Sequence, residues 1–390
     1  MSIQRPSLSR AARSPMMLTA MVLMACDPPA GDRDPTDGST GDDDLPSTSE
    51  TTNGEASTAD LDPPQPPTPT EYNVVFVTSS SIPADFGGLE QADEICRQHA
   101  RDAGLEGTFV AWLSTSTTDA LSRLQGARGW VRTDGRPFAD QADDVVFDNF
   151  YPPALNEYGE FVDADVRPWT GTRFTGLRHE DTCDDWTSQT ARTMRGTPFA
   201  GIGQWIVGPL GTCSGSAPLY CFSTDRTVAL EVDTPTEFRR VFVANKFPLD
   251  EGGRASADQR CQQDADHAGL PGTYLALLPT ATSAAADRFD LTGPTWVRAD
   301  GIAVWEHASD LSHEDMLAPV SFDANGARSA EIVMAGASSP GALPAAEICE
   351  DWTTSEGEVL VGRSDTAGPV GFGGQDSDCG PDHAIYCLEQ

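Results

Sequence analysis

The hydrophobic and polar positions divide the chain into an apolar N-terminal run, a long polar stretch and a larger region with recurring apolar elements. The apolar run is PMMLTAMVLMA, residues 15–25. Residues 26–71 contain almost no large apolar side chain. From residue 72 onward, runs of β-branched and aromatic residues predict strands, and stretches with apolar residues on one face predict helices. The pattern therefore predicts a polar linker followed by folded domains of mixed α+β structure.

The folded region contains an internal repeat. Two sets of four cysteines share nearly the same spacing, 87, 30 and 8 residues in the first set and 88, 30 and 8 in the second. The sets are Cys96, Cys183, Cys213 and Cys221, then Cys261, Cys349, Cys379 and Cys387. The segments between them also match, since GWVRTDG from Gly129 aligns with TWVRADG from Thr295. Two domains are therefore predicted, residues 72–224 and 237–390, joined by a short polar connection.

Each repeat follows the same order of elements. It begins with a strand-like run, VVFVTS from Val74 or RVFVAN from Arg240. A helix is predicted next, at 89–104 in the first repeat and 255–269 in the second, because apolar residues share one face and a glycine closes the pattern. A short apolar run then predicts a buried strand. The rest of each repeat is rich in Gly, Pro, Asp and Trp, which predicts long irregular loops.

The N-terminus has the features of an export signal. Three arginines precede the apolar run, which is too short to span a bilayer, so residues 1–25 are interpreted as a signal peptide. The run ends in LMAC, which resembles a bacterial lipobox with Cys26 as the lipidated residue. A plain signal peptide followed by an unrelated cysteine is the alternative. Nine cysteines leave one unpaired, and Cys26 is the natural candidate.

These features predict an exported protein of the bacterial envelope, anchored by a lipid at the outer membrane or cell surface. Residues 26–71 are expected to form a disordered acidic linker, because they cannot bury enough apolar surface to offset the entropy of ordering. The linker would hold the two domains away from the membrane as a flexible stalk. Contact with the membrane is expected through the lipid anchor only.

The charge of the chain restricts its partners. It has 25 basic and 60 acidic residues and a formal net charge of −35. Such a field repels nucleic acids and disfavours heparin-like polyanions as partners. Acidic loops could attract Ca²⁺, but no spacing of the EF-hand type supports a specific site. No cofactor and no metal site are therefore predicted.

Three segments carry a resemblance to a known family: GGLEQADEICRQHARDAGLEGTFVAWLSTS from Gly87, EDTCDDWTS from Glu180 and PLYCF from Pro218. Their order and cysteine spacing resemble the endostatin-like domain, a variant of the C-type lectin fold, and its bacterial relatives on surface lipoproteins. The resemblance covers both repeats nearly end to end. It implies two tandem disulfide-stapled C-type-lectin-like domains after the acidic linker.

The resemblance also implies a disulfide pairing, first cysteine to fourth and second to third. The spacing alone allows three pairings in each set. The implied pairs are Cys96–Cys221, Cys183–Cys213, Cys261–Cys387 and Cys349–Cys379. The functional residues of the family do not carry over. The start of each repeat contains none of the histidines with which endostatin binds zinc, and the 25 basic against 60 acidic residues disfavour its heparin-binding role. The tripeptides with which C-type lectins bind calcium and sugar are not found in the sequence.

No catalytic constellation is evident in the sequence. None of the histidines that can be aligned is kept in both repeats, and His99 aligns with Asp264. Nucleophile-elbow, zincin and P-loop motifs are also missing. Paired acids do recur before a tryptophan, and they include Asp185 and Asp351. They are interpreted as a solvated turn over a packed indole, with a carboxylate-based hydrolase as the alternative.

A second recurring motif is Trp-Val-Arg before Asp-Gly. Its tryptophans are expected in the core, and Arg132 and Arg298 are expected to be exposed contacts. Together with Asp185 and Asp351, these arginines are the candidate ligand-binding residues. The sequence favours a non-enzymatic surface protein for binding or adhesion, which recognises an extracellular protein or glycan through variable loops. The alternatives are a hydrolase of envelope or extracellular polymers and a passive structural component of the envelope.

Overall fold

A computed structural model describes residues 71–246, 252–313, 315–344, 348–380 and 383–390. The predicted signal peptide, Cys26 and the linker up to residue 70 lie outside the described residues. Both repeats belong to a single compact unit that extends to Gln390. In the described part of the chain, no helix combines the length and the apolar character needed to cross a bilayer.

The first repeat is built around a five-stranded sheet. Its elements are β1 (Asn73–Val77), β2 (Ile82–Pro83), α1 (Leu89–Asp102), β3 (Phe109–Ala111), a 3-10 helix (Leu121–Leu124), β4 (Trp130–Arg132), β5 (Pro137–Ala139), α2 (Asp144–Phe147), α3 (Cys183–Trp186), β6 (Arg192–Thr193), β7 (Gly211–Thr212), β8 (Ser216–Ala217) and β9 (Tyr220–Ser223). The strand order is β3-β9-β1-β4-β5. The central β1 pairs in parallel with β4 and antiparallel with β9.

The second repeat has the same central arrangement. Its elements are β10 (Arg239–Val243), α4 (Gly253–His267), β11 (Tyr274–Ala276), 3-10 helices (Ala286–Arg288 and Ala308–Ser312), β12 (Trp296–Val297), β13 (Ile332–Met334), α5 (Cys349–Trp352), β14 (Glu358–Arg363), α6 (Gly368–Gly373), β15 (Gln375–Asp378) and β16 (Tyr386–Glu389). The order β11-β16-β10-β12 again places the first strand between a parallel and an antiparallel neighbour. The fold is therefore α+β in both repeats, and the two predicted helices are present.

Apolar residues cover both faces of each central strand. In β1, Val74 and Phe76 pack with α1, whereas Val75 and Val77 pack on the opposite face. A strand buried on both faces needs a continuous apolar run rather than an alternating one, which explains the sequence VVFV. All eight tryptophans of the chain are fully buried. The expectation that the tryptophans of the Trp-Val-Arg motifs lie in the core is therefore confirmed.

Four disulfides staple the repeats, with the pairing that the family resemblance implies. The first bridge of each repeat joins the long helix to the last strand across 125 or 126 residues, and the second closes a 30-residue segment. In the chain-entropy model, loops of this size stabilise a fold by roughly 3 to 5 kcal/mol per bridge. Disulfides of this number are typical of proteins outside the cytoplasm.

Candidate functional site

The two repeats are joined by backbone pairing between equivalent segments. The Gly201 N–H donates to the Asp365 carbonyl and the Ala367 N–H donates to the Phe199 carbonyl, each at 2.8 Å. Phe199 and Asp365 each lie 16 residues after the second cysteine of their repeat, and Gly201 and Ala367 each lie 18 residues after it. The contact is thus reciprocal, as in a twofold-symmetric dimer.

Side chains extend this contact. Tyr151 of the first repeat packs against Ile302 and Ala318 of the second in a shared apolar cluster. The Arg136 guanidinium donates to the Glu306 carboxylate at 2.6 Å, and Arg328 forms an ion pair with Asp148. These residues lie in the loop regions 134–182 and 300–348, which differ widely between the repeats, so the variable loops predicted to bind a ligand lie partly between the repeats.

Several clefts lined by both repeats adjoin the backbone pairing, and two of them are related by the approximate twofold. The larger, which we call the acidic cleft, has a volume of about 600 Å³. Both repeats line it, and its wall combines apolar with acidic side chains: Phe161, Asp163, Phe199, Trp305, Glu306 and Asp310. The smaller, which we call the amide cleft, has a volume of about 170 Å³. Since Phe199 lines the first and its equivalent Asp365 lines the second, the approximate twofold relates the clefts to each other.

The amide cleft contains a buried polar side chain without a partner. Asn149 lines the cleft and is 2% exposed, and neither its Nδ2 nor its Oδ1 atom has a hydrogen-bond partner. Buried side-chain amides are nearly always hydrogen-bonded, because an unsatisfied group loses its hydration without compensation. This unsatisfied amide makes the cleft a candidate binding site.

The second repeat has an apolar residue at the equivalent position. The Phe150 N–H donates to the Phe138 carbonyl, and the Leu317 N–H donates to the Val304 carbonyl, which aligns the two segments. Asn149 therefore corresponds to Met316, which is buried in the core of the second repeat. The fold accepts an apolar side chain at this place, so the amide is a particular property of the first repeat.

The charged groups around the amide cleft are neutralised in pairs. Arg328 lies over the Phe322 ring, 4.1 Å from its centroid, and pairs with Asp148. Burial lowers the pKa of the Arg328 guanidinium from its ordinary value. Arg298 also lines the cleft, and its partner is the Asp300 carboxylate at 2.6 Å. The cleft therefore offers polar groups with little net charge.

The expectation that Arg132 and Arg298 are exposed contacts is wrong. They are 0% and 2% exposed. Each guanidinium pairs with the aspartate two residues later in the turn and donates to a proline carbonyl, Pro152 or Pro319. A buried guanidinium needs such partners because its desolvation is costly. The sequence motif Arg-x-Asp-Gly supplies the partner locally, so these arginines anchor the turn.

Burial raises the pKa of the Asp134 carboxyl, but Arg132 and Arg136 outweigh this effect and hold the pKa at about 2. The carboxylate is therefore ionised in the folded protein at neutral pH, and the ion pair with Arg132 is complete.

The paired acids lie in a left-handed turn. Cys183, Asp184, Asp185 and Trp186 have φ values of 52°, 51°, 56° and 67°, and the second repeat has 53°, 48°, 54° and 69° in α5. Left-handed backbone costs roughly 1 to 2 kcal/mol for each non-glycine residue. The turn must therefore be held by its surroundings, and both ends are anchored. Its first residue is in a disulfide, and the Trp186 indole donates to the Ser114 carbonyl at 2.8 Å.

Asp185 and Asp351 stabilise this turn. The Asp185 carboxylate accepts from the Ser116 N–H and O–H, each at 2.6 Å, and Asp351 accepts from the Ala281 N–H at 3.0 Å. Burial raises the pKa of Asp185, but the hydrogen bonds from Ser116 and Thr182 outweigh it and leave the pKa lowered. This geometry agrees with the interpretation of a turn over a packed indole. Neither aspartate lines the clefts between the repeats described above.

The structure also brings together residues that the sequence analysis did not combine. Ser80, His99 and Glu157 are far apart in the chain, yet their side chains form a hydrogen-bonded row in the first repeat. No local sequence motif contains these three residues. His99 was not considered as a catalytic residue because it aligns with Asp264 in the second repeat. The sequence analysis found no catalytic constellation, whereas the structure places a serine hydroxyl, an imidazole and a carboxylate within hydrogen-bonding distance of one another in the first repeat.

Three neighbouring residues, His179, Glu180 and Asp181, place potential metal ligands within 4.8 Å of one another. The His179 Nδ1 atom accepts a hydrogen bond from the Asp181 N–H at 3.0 Å. This group alone does not establish a metal site.

Compared with known proteins, the chain matches no family model and no curated protein.

Proposed function

We propose that the chain is an exported, lipid-anchored binding or adhesion protein of the bacterial envelope, which binds an extracellular protein or glycan between two tandem endostatin-like, C-type-lectin-like domains. The observation that carries the proposal is the unpartnered, buried amide of Asn149 in a cleft lined by both repeats. The anchor is Cys26, and residues 26–71 act as the spacer to the outer membrane or cell surface. The four disulfides fit this location.

The amide cleft favours a particular ligand chemistry. A carboxamide offers two N–H donors and one acceptor oxygen within a single planar group. Its complement is a group with a donor and an acceptor side by side, such as a peptide amide, an N-acetyl group or a pair of sugar hydroxyls. A cavity of about 150 Å³ can hold a benzene molecule, so the 170 Å³ of this cleft suits one ring or side chain of a larger ligand.

The alternatives have less support. A carboxylate-based hydrolase at Asp185 and Asp351 would need a free acid and a free base, but the Asp185 carboxylate already accepts two hydrogen bonds from Ser116 and one from Thr182. In a purely structural protein, the unsatisfied amide of Asn149 would lower the stability of the fold without a compensating function.

An array of glycans and peptides probed with the full chain in detergent, with and without Ca²⁺, tests the proposal. Ligands found there are titrated against the wild type, Asn149→Met and Gln189→Met. The second variant also replaces a side-chain amide by methionine, but at an exposed residue outside the described clefts. We expect Asn149→Met to weaken binding by at least about tenfold, the equivalent of one lost hydrogen bond at about 1.4 kcal/mol. Equal binding by all three proteins would contradict a site at Asn149.

A further inference from the structure

Three side chains from separate parts of the first repeat meet beyond the end of β1. Ser80 follows β1, His99 lies on α1, and Glu157 lies in the loop that follows α2. The Ser80 Oγ atom is 3.0 Å from His99 Nε2, and His99 Nδ1 is 2.6 Å from Glu157 Oε1. A hydroxyl on one nitrogen of an imidazole and a carboxylate on the other form the arrangement that activates a serine nucleophile.

The protonation of this row follows from the environment of Glu157. Its side chain is 0% exposed, and it accepts from the Ser79 N–H at 2.9 Å and the Ser79 O–H at 2.5 Å. Burial raises the pKa of Glu157, but the hydrogen bonds from His99 and Ser79 outweigh it and leave the pKa lowered. The carboxylate is therefore ionised at neutral pH and can only accept. Hence His99 Nδ1 carries the proton that it donates to Glu157, and Nε2 is the ring nitrogen that faces the Ser80 hydroxyl.

The acid is held rigidly. Asn156 closes a tight turn around it, because its Oδ1 accepts from the Tyr158 N–H at 2.9 Å and from the Glu160 N–H at 3.0 Å. The Val77 N–H of β1 donates to the Leu155 carbonyl at 2.8 Å, which fixes this turn against the sheet. A site held by strand and turn hydrogen bonds keeps its geometry without a ligand.

Exposure along the row suits an attack on an external substrate. Ser80 is exposed, the His99 side chain is 18% exposed, and Glu157 is buried. The hydroxyl is therefore accessible, while the acid that orients the base is protected from water.

The second repeat keeps the fold but lacks the row. Backbone hydrogen bonds align Thr78 with Ala244, which places Lys246 at the position of Ser80. His99 aligns with Asp264, and the turn around Asp323, equivalent to the turn around Asn156, places Ala324 at the position of Glu157. The fold therefore does not require these three side chains, so their contact in the first repeat needs another explanation.

We propose that Ser80, His99 and Glu157 form an acyl-transfer site that hydrolyses carboxylic esters. The Ser80 oxygen attacks the ester carbonyl carbon while its proton passes to His99 Nε2. The bond to the alcohol then breaks, and the leaving alcohol takes that proton. Water attacks the acyl group on Ser80 with His99 again accepting a proton. The carboxylic acid leaves, and the proton returns to the Ser80 oxygen. Ser80 and His99 are the catalytic residues, and Glu157 is a positioning residue.

The first test is covalent labelling of the full chain with a fluorophosphonate, which reacts with activated serines. We expect one adduct, on the peptide that contains Ser80, and none on peptides of the second repeat. Ser80→Ala should abolish it, while Ser81→Ala, at the exposed next residue, should leave the labelling rate unchanged. His99→Ala should slow labelling by at least about 100-fold, as expected for loss of a general base. Absence of an adduct, or equal labelling of wild type and Ser80→Ala, would overturn the proposal.

The second test separates positioning from structural support. Glu157→Gln keeps the shape of the side chain but removes its charge, so kcat for p-nitrophenyl acetate should fall by about 10² to 10⁴-fold while KM stays within a factor of about three. Circular dichroism checks that the variant is folded. If Glu157→Gln unfolds, the same assay is applied to Ser80→Ala and Ser81→Ala. Loss of hydrolysis in Ser80→Ala alone would then support the site. Hydrolysis that persists in Ser80→Ala would refute the site.

Discussion

Replacing Asn149 with methionine should stabilise the ligand-free protein. The wild-type side chain is buried with both polar atoms unpaired. Methionine removes these two atoms and adds an apolar group where the second repeat already buries Met316. The change therefore tests whether the buried amide lowers the free energy of unfolding of the ligand-free protein.

The expected magnitude follows from the unpaired atoms. One buried polar group without a partner costs about 1 to 3 kcal/mol, and Asn149 has two such atoms in a single side chain. Methionine needs more space than asparagine, and overpacking can cost about 1 to 3 kcal/mol in a filled core. The adjacent cleft of about 170 Å³ offers that space, so little of this cost should arise. We expect a net gain of about 1 to 2 kcal/mol in the free energy of unfolding.

Urea unfolding with the disulfides intact measures this gain, and Gln189→Met serves as the control because its side chain is exposed. The control should remain within about 0.5 kcal/mol of the wild type, as expected for surface changes. A neutral or destabilising Asn149→Met would refute the reasoning, because it would mean that the amide is satisfied in solution. A ligand of the cleft should stabilise the wild type more than the variant.

Three further predictions concern other parts of the chain. Because the folded pKa of Asp134 is about 2 and the unfolded value is about 3.9, its ion pairs stabilise the protein above about pH 4, and about 2 kcal/mol is lost as pH falls toward 2. Asp134→Asn, less stable than the wild type at pH 6, should therefore approach wild-type stability near pH 2 in urea unfolding; a constant difference would contradict this. Glu350→Gly should raise stability by up to about 1 kcal/mol in the same assay, because Glu350 has a φ of 48° and glycine removes the left-handed strain. A loss of stability would show that the turn is not strained there. Mass spectrometry of the mature N-terminus should find a diacylglyceryl group on Cys26, and an unmodified start at another residue would contradict the lipid anchor.

The sequence was informative where local pattern and structure agree. The run from Val74 forms a strand, and the amphipathic pattern from Leu89 forms α1, which ends at Asp102 just before Gly104. Gly104 has a φ of 72°, a conformation that glycine adopts without strain and that commonly ends a helix. Periodicity and turn chemistry were sufficient for these elements.

Other features depend on distant contacts. The left-handed turn at Asp184 has no local signal, because four such residues adopt this backbone only when a disulfide and a buried indole hold them. Arg132 was predicted to be an exposed contact because a tryptophan and an arginine close together are common at binding hot spots, but its ion-pair partner lies in the turn itself. The row from Ser80 to Glu157 combines residues 77 positions apart, and comparing the repeats was misleading because only one copy has it.

The reciprocal pairing of Phe199 with Ala367 and of Gly201 with Asp365 has a consequence for how the protein can change. In a dimer of two identical subunits, every substitution appears on both sides of the axis, so the two halves of an interface must remain alike. Here the same geometry lies within one chain, and each half can mutate alone. One half can keep a buried apolar side chain such as Met316, while the other half buries the unpaired amide of Asn149 at a cost in stability. Covalent linkage therefore allows a symmetric scaffold to acquire a chemically asymmetric surface.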